Sequence, residues 1–319
     1  MNLLRTLSLR QLQSFTMTAR HNSVARAAEA LHVTQPAVSM QIRQLEEITG
    51  LRLFERSGRT LRLTASGRTM LHHAQRILGE IRDAEETLRA ERDLDRGVIL
   101  LGLVSTAAYV APPLIARFLL RYPNIELRLE VGNREQLLRM LRENVIDLAI
   151  MGRPPAELDT LSEPLAAHPH VLAAQAGHRL AGCRRFGLHE LRDETFLVRE
   201  SGSGTLAVSE QFFKNHLFHP AKMLTLGSNE TIKQAVMAGL GVSLLSLHAL
   251  RLELRAGAIA LLDVEGAPVD RVWHVVHRAD KILSPAAQTF RRFLLDETAP
   301  FLAAEHGHGR FPLADAPGS

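Results

Sequence analysis

Cysteine is almost absent: Cys183 is the single thiol in 319 residues. That excludes a disulfide framework and a multi-cysteine zinc site. Aromatic residues are also scarce at 5%, but 46% hydrophobic and 23% charged residues are ordinary globular composition. The length suffices for two or three cores. Lysine occurs only at positions 214, 222, 233 and 281, the other basic residues being arginine. That bias is mainly one of codon usage, although arginine also suits phosphate contacts. No charge of one sign dominates, and a net +4 is too mild for a nucleic-acid coat protein or a polybasic membrane binder. The opening MNLLRTLSLRQLQSF has no long apolar run before a small-residue cleavage site, so a cytoplasmic protein is expected. Residues 97–116 carry no charge, about the length of a membrane span. Gly102, Ser105-Thr106 and Pro112-Pro113 interrupt that stretch, and Arg117 and Arg121 follow it. A buried strand over 98–104 turning into a helix is the expectation, with no membrane partner. GxxxxGK[ST], GxGxxG and GxSxG are all missing, so neither a nucleotide loop nor a nucleophile elbow has support.

The mild net charge hides a division. Residues 1–70 hold ten arginines against four glutamates, +6, which leaves −2 for everything that follows. A short basic module on a slightly acidic body is the pattern of a nucleic-acid reader with an attached sensor or enzyme. Within the basic module, Leu12, Phe15, Thr16 and Ala19 lie at helical spacing over about 9–20. Ser23 is an N-cap for a second helix whose Val24, Ala27, Ala28 and Leu31 follow the i, i+3, i+4, i+7 template. Arg26 stands where a capping box needs Glu, so the cap is single-sided. His32-Val33-Thr34 makes a tight turn, Pro36 falls in the first turn of a third helix, and Gly50 closes it. Two helices joined so closely form a helix-turn-helix candidate.

On the third helix Val38, Ile42 and Leu45 make the inward stripe, while Gln35, Ser39 and Arg43 share another face beside Pro36 and Met40. Amide, hydroxyl and guanidinium groups pair with adenine, phosphate and guanine in a major groove. Taken alone, the same face could be a solvated helix surface. A wing follows, with strands over 53–56 and 60–63 around Ser57-Gly58-Arg59. An arginine at such a tip can enter the negative minor groove. Thr64 then caps a helix running to about residue 92. Its seam Leu71, Ala74, Leu78, Ile81, Glu85 and Leu88 is apolar at five of six positions. Such a stripe packs either on its own domain or on a second copy. On a connector with no evident cover, it points to dimerisation.

From residue 97 strand and helix patterns alternate: strands over 98–104, 125–131 and 147–151, with helices over about 106–121 and 134–143. A second set places strands at 170–174, 195–199, 223–227 and 241–246, and helices at about 204–217 and 230–238. A last strand over 271–277 and a helix over 285–297 complete two α/β subdomains. Ligands of such sheets sit at the carboxyl ends of strands. The junctions there are Ser105-Thr106, Asn133-Arg134, Ser203 with Thr205, and Ser228-Asn229-Glu230. Each offers hydroxyls, amides or backbone N–H groups at a helix start, which favours an anionic ligand. Arg153 adds a cation after the 147–151 strand, unless it merely marks a surface turn. His168-Pro169-His170 lacks a carboxylate cluster, and no metal or cofactor is expected.

The stretch SVARAAEALHVTQPAVSMQIRQLEEITGLRLFERSGRTLRLTASG (residues 23–67) resembles the DNA-binding end of the LysR-type transcriptional regulators. The likeness lies in the Ala-Ala pair, Thr-Gln-Pro-Ala-Val-Ser, Gln-Leu-Glu-Glu, Leu-Phe-Glu-Arg and Leu-Thr-x-x-Gly, in that order. GNREQLLRML, IDLAIMGRPP, AAHPHVLAA, LGSNETIKQAVMAGLGVSLLSLHAL and RVWHVVHRADKILSPAA are similar to the regulators of Calvin-cycle carboxylase (RuBisCO) operons. The resemblance covers about residues 5–305.

By that resemblance Gln35, Pro36, Ser39 and Arg43 face a major groove and Arg59 a minor groove, in an interrupted-palindrome operator of double-stranded DNA. It implies a winged helix-turn-helix over 1–63, a linker and dimerisation helix over 64–92, and an effector domain over 97–305. The effector domain would have the type-2 periplasmic-binding-protein fold. Its subdomains would be 97–162 with 270–305, and 165–266, crossed near 162–168 and 266–270; residues 306–319 would be a disordered tail. A homodimer or homotetramer, contact with RNA polymerase and an effector such as a phosphorylated sugar, phosphoenolpyruvate or NADPH are further implications. Relatives of this type carry a lysine where Ala108 stands and an arginine where Leu206 stands. That departure bears on which effector binds. A regulator of another operon with a different anionic effector is one alternative. A solute-binding transport protein, which shares the body's fold, is another. An enzyme has no acid/base pair or nucleophile constellation to support it.

Overall fold

The computed structural model describes residues 3–57, 60–90, 97–152 and 156–306. Its contacts divide the chain into two units: Met1–Leu88 with Arg142–Val145, and Arg89–Leu141 with Ile146–Ser319.

In the first unit a short α1 (Leu3–Thr6) precedes α2 (Leu9–His21). Ser8 starts α2 with a reciprocal box: its hydroxyl accepts from Gln11 N at 3.3 Å, and its own N–H donates to Gln11 Oε1 at 2.8 Å. Ser23 caps α3 (Val24–Leu31) on one side only, accepting from Arg26 N at 3.4 Å. His32, left-handed at φ 54°, turns the chain, and Thr34 caps α4 (Gln35–Thr49). Gly50 ends it at φ 68°, a conformation that glycine adopts without strain. Val38, Ile42 and Leu45 face inward against Leu12, Phe15, Ala27 and Ala28. β1 (Phe54–Ser57) and β2 (Thr60–Leu63) pair antiparallel, Ser57 opposite Thr60. Arg59, the expected wing-tip residue, lies outside the described residues.

Thr64 starts α5 (Ala65–Ala90), accepting from Gly67 N at 2.9 Å and donating to Arg52 O at 2.7 Å. A Cβ on Gly67 would stand 2.0 Å from the Leu53 carbonyl oxygen. The Leu-Thr-x-x-Gly pattern therefore records a cap and a close backbone approach. The linker seam divides. Leu71, Ala74 and Leu78 join the core of Leu12, Phe15, Leu45 and Leu53, whereas Ile81 is 41% and Leu88 63% exposed.

The second unit holds two groups of strands. In the first sheet the order is β4 (Ile125–Gly132), β3 (Gly97–Val104), β5 (Leu148–Met151), β12 (Val272–Arg278) and β6 (Thr160–Ala167). β3 runs parallel to β4 and β5, linked by α6 (Ala111–Arg121) and α7 (Arg134–Arg142), while β12 is antiparallel to β5 and β6. Residues 97–116 are thus a buried strand and the start of a helix, and among the described residues no helix is long and apolar enough to cross a membrane. α11 (Pro285–His306) runs nine residues past its expected end at 297 and covers the sheet. Its Phe290 and Phe293 meet Phe118 of α6 at ring distances of 4.7 and 5.3 Å.

The other strands are β10 (Ser243–Ser246), β7 (His170–Gln175) and β11 (Ile259–Leu262) in one antiparallel sheet, and β8 (Thr195–Arg199) with β9 (Lys222–Leu226) in a parallel pair. A parallel bridge from Phe196 to Val242 joins the two. α8 (Gly204–Asn215), α9 (Asn229–Met237) and the short α10 (Arg251–Arg255) complete this half. The chain passes between the halves at 168–170 and returns at 269–271, where His168 N donates to Arg271 O at 2.7 Å and Val269 N to His170 O at 2.8 Å. The first passage lies at the end of the span 162–168 expected from sequence, because 160–167 forms β6 against β12.

Beside β3 an ion pair with both side chains buried joins Asp147 to Lys281 at 2.9 Å, and Asp147 Oδ2 also accepts from Leu100 N at 2.7 Å. Removing one member leaves a buried charge. Lys281→Met should lower unfolding free energy by about 3–5 kcal/mol, and Asp147→Leu with Lys281→Met should recover most of it. Urea denaturation of the three proteins checks this; a double variant no better than the single one would contradict it.

Candidate nucleic-acid interface and ligand cleft

α4 carries its polar stripe outward. Gln35, Pro36, Ser39 and Arg43 are all exposed, as are Val33 (48%) and Met40 (51%). The helix is seated by its apolar stripe, so this face is presented by a fixed scaffold. Glu46, on the same helix, ties the wing to it. Its Oε1 accepts from Leu53 N at 2.8 Å and Phe54 N at 3.3 Å, and Oε2 pairs with Arg52 at 2.9 Å. Sequence reasoning noted Glu46 only as part of a motif; its role depends on where β1 begins in space.

The second unit contains a cavity of about 570 Å³ between its two halves. Ser105 and Thr106 after β3, Asn133 and Arg134 after β4, and Ser203 and Thr205 at the start of α8 all line it. Gly152, His168, His170 and Arg271 line it as well. Ser228, Asn229 and Glu230 are not in its wall. Ser228 caps α9, accepting from Thr231 N at 3.0 Å. Asn229 Oδ1 accepts from Arg199 at 2.6 Å, and Glu230 Oε1 accepts from the Tyr109 hydroxyl at 2.5 Å. Arg153 lies outside the described residues.

Arg134, expected at the cleft, already carries a carboxylate partner, as do the nearby cations Arg199 and Lys233. Arg199, 3% exposed, donates to both Glu200 oxygens at 2.7 and 2.8 Å and to Ser105 Oγ at 3.0 Å. Burial raises the Glu200 pKa, but the bonds from Arg199 outweigh it and lower the carboxyl below its ordinary value. Arg134 forms a fork with Glu157 at 2.8 and 3.3 Å, which brings the Glu157 pKa down to about 2. Lys233 pairs with Glu230 at 2.8 Å and Glu253 at 2.9 Å, and lies 4.8 Å from the Tyr109 ring centroid. Burial alone would lower the Lys233 pKa; the two carboxylates raise it overall. Among the described residues lining the cavity, Ser105, Thr106, Asn133, Ser203 and Thr205 are neutral donors or acceptors, and Arg271 is a further cation.

Known proteins place both halves of the chain. Residues 9–68 match the model of the bacterial regulatory helix-turn-helix protein, lysR family, and residues 92–299 match the LysR substrate binding domain. The chain belongs to the LysR family of transcriptional regulators. It is 60% identical over 304 residues to the HTH-type transcriptional regulator CfxR of Cupriavidus necator, covering 95% of this chain and 96% of that protein. It is 48% identical over 286 residues to CbbR of Rhodospirillum rubrum, covering 90% and 95%. Among solved structures, the regulatory domain of Synechocystis CcmR in complex with 2-PG matches with a TM-score of 0.60 and 37% identity, over 63% of this chain and 97% of that one. LysR regulators bind DNA and small-molecule effectors and form oligomers. In this LysR chain the exposed face of α4 and the cavity beside α8 are where those two tasks have suitable side chains.

Nothing in the local pattern of His168-Pro169-His170 marks these residues as part of the cavity wall. They are 3% and 2% exposed on the crossing segment, a position that only the pairing of 168–170 with 269–271 creates. Burial chiefly lowers both pKa values: His168 well below 6.5, and His170 to about 4. Arg271 and His248 lower both further, while a backbone hydrogen bond at His168 partly offsets the effect at His170.

Two predictions come from these contacts. Glu46→Ala strands two backbone donors, so it should cost about 1–3 kcal/mol and weaken duplex-DNA binding. Thermal melts and DNA titrations measure both, and an unchanged pair of values would refute the role of Glu46. The two histidines stay neutral in the folded chain, whereas the unfolded chain takes up protons below pH 6.5. The contribution of His170 is full above pH 6.5 and is lost as pH falls toward about 4, and that of His168 is lost in the same direction. Urea midpoints across pH 7.5 to 4.5 should fall, less steeply in His170→Phe; identical slopes would contradict this.

Proposed function

We propose that this chain is a metabolite-responsive activator of carbon-fixation genes. The observation that carries the target is 60% identity to CfxR across 95% of the chain, with further relatives named as CbbR and as RuBisCO operon regulators. In this reading Gln35, Ser39 and Arg43 contact base edges and phosphates, Pro36 sets the start of the helix, and Arg59 enters the minor groove. Two copies read the halves of an interrupted palindrome. Ile81 and Leu88, exposed on α5 beyond the part that packs on the winged domain, supply apolar surface for a dimer contact. A tetramer of two such dimers is compatible with the same surface, and activation would proceed through contact with RNA polymerase.

The effector is a small anionic metabolite of the class of phosphorylated sugars, phosphoenolpyruvate or NADPH, bound beside Ser105, Thr106, Asn133, Ser203 and Thr205. Ser228, Asn229 and Glu230 then act from outside the cavity wall, through the contacts of Asn229 with Arg199 and of Glu230 with Tyr109. The effector biases the closed arrangement of the two halves only by as much as it binds that arrangement better. Ala108 and Leu206 replace two cations of the resembled regulators, and Arg134 and Arg199 already hold carboxylates. Both facts favour a second reading in which the same cleft takes a different anionic effector, and another operon is its target.

A gel shift with the promoter of the carboxylase operon, repeated with each metabolite, separates these readings. Specific binding in the nanomolar range is expected. Gln35→Ala with Ser39→Ala should reduce it to nonspecific levels while leaving the response of the sensor domain to metabolite intact. Specific retention by that double variant would overturn the assignment of α4. Specific binding to a different promoter alone would favour the second reading.

A further inference from the structure

The outward face of α4 carries one side chain that its polar chemistry leaves without a task. Val38, Ile42 and Leu45 fix which side of the helix meets the core. At about 100° per residue, Ser39 falls about 90° round the helix from the mid-line of that stripe, and Arg43 about 130°. Met40 falls about 190° away. A methionine therefore occupies the outermost line of the first two turns, where a hydroxyl or a guanidinium would be expected of a polar reader. Met40 is 51% exposed and belongs to neither apolar cluster of the first unit. Single exposed apolar residues are ordinary on protein surfaces, and it is position that sets this one apart. Val33 and Leu51, the exposed apolar residues next to α4 in the chain, fall in the turns before and after the helix.

What such a residue can meet follows from the chemistry of the groove. A recognition helix touches base edges with its N-terminal residues, and α4 begins at Gln35. The residue farthest from the core comes nearest the groove floor. Exposed carboxylates on α4 begin only at Glu47, two turns beyond Met40, and the net +6 of residues 1–70 suits approach to phosphate. The floor presents donors and acceptors at every base pair and a single apolar group, the C5-methyl of thymine. A thioether donates nothing and accepts weakly. Against a guanine, cytosine or adenine edge it would displace water without replacing the lost hydrogen bonds. Against a methyl it buries apolar surface on both partners. The unbranched, polarizable methionine chain can also adjust its reach to such a contact.

We propose that Met40 is a specificity-determining residue of the DNA interface, its thioether end packing on the C5-methyl of a thymine in each half-site. Gln35, Ser39 and Arg43 supply the polar contacts beside it, and this thymine is read for its methyl group alone. The proposal rests on α4 entering the major groove, and the test separates the two claims.

The full-length protein is titrated with the promoter duplex that it binds, and with duplexes in which the thymines are replaced one at a time by uracil. Uracil keeps every hydrogen-bonding group of thymine and lacks only the methyl. The wild type should lose about 4-fold in affinity at one thymine of each half-site, the worth of one buried methyl group. Met40→Ala should bind the thymine duplex more weakly and show no loss on uracil at those positions, whereas Met40→Leu should keep part of it. A loss that arose from altered duplex shape would persist in Met40→Ala. Leu51→Ala, which removes exposed apolar surface off the helix, should leave the uracil loss unchanged. A wild type indifferent to uracil at every thymine, or a uracil loss that Met40→Ala shows in full, would overturn the methyl contact and leave α4 in the groove. Met40→Glu puts a carboxylate on the outermost line and should abolish specific binding wherever α4 docks against DNA. Specific binding by that variant, with thermal melting showing it folded, would overturn the docking of α4 itself.

Discussion

A guanidinium removed from water must be matched by a carboxylate, and much of the sensor's arrangement follows from Arg199 meeting that demand. Arg199 is 3% exposed at the end of β8. Unpaired, it would carry a desolvation cost that no nearby apolar contact could offset. Glu200 neutralises it through both oxygens, and the remaining donor reaches Ser105 after β3 and Asn229 at the start of α9. One side chain thus links the two halves of the second unit. Asn133, from a third loop, also reaches Glu200 at 3.4 Å.

The same rule shapes the chemistry of the cleft. Arg134 and Lys233 also carry carboxylate partners, so these cations too are locally balanced in the folded chain. A ligand entering the cavity meets hydroxyls, amides, a helix start and neutral imidazoles more than unscreened charge. Neutral donors are geometrically selective because each bond depends on distance and angle, whereas an unscreened cation attracts any anion. Such a wall is suited to telling one small acid from another.

Legibility from sequence differs between the units. In the first, contacts are local: Ser23 on Arg26, Thr34 on Ala37, and Val38, Ile42 and Leu45 one or two turns apart. Periodicity and capping chemistry therefore locate α3 and α4 directly. The spacing of the linker seam makes one stripe, yet Leu71, Ala74 and Leu78 pack on their own domain while Ile81 and Leu88 are exposed. Spacing says which residues share a helix face and cannot say how far along it a neighbour extends. In the second unit the alternation over 97–151 marks β3 to β5, but the pattern of residues 160–167 does not mark β6. Its burial is irregular, because it is an edge strand paired with β12 more than a hundred residues away.

The sequence by itself determined the basic winged module, its outward Gln35, Ser39 and Arg43, the strand and helix alternation of the body and the family to which both belong. Those features rest on short-range periodicity, on capping and on the side-chain chemistry of single segments. Tertiary structure alone decided that Arg134, Arg199 and Lys233 are neutralised, and that Glu46 holds the wing. It also decided that His168 lies buried with its ring packed closely against Gly152. Each depends on atoms distant in sequence brought within hydrogen-bond range, and a count of charges along the chain holds no record of which charges meet.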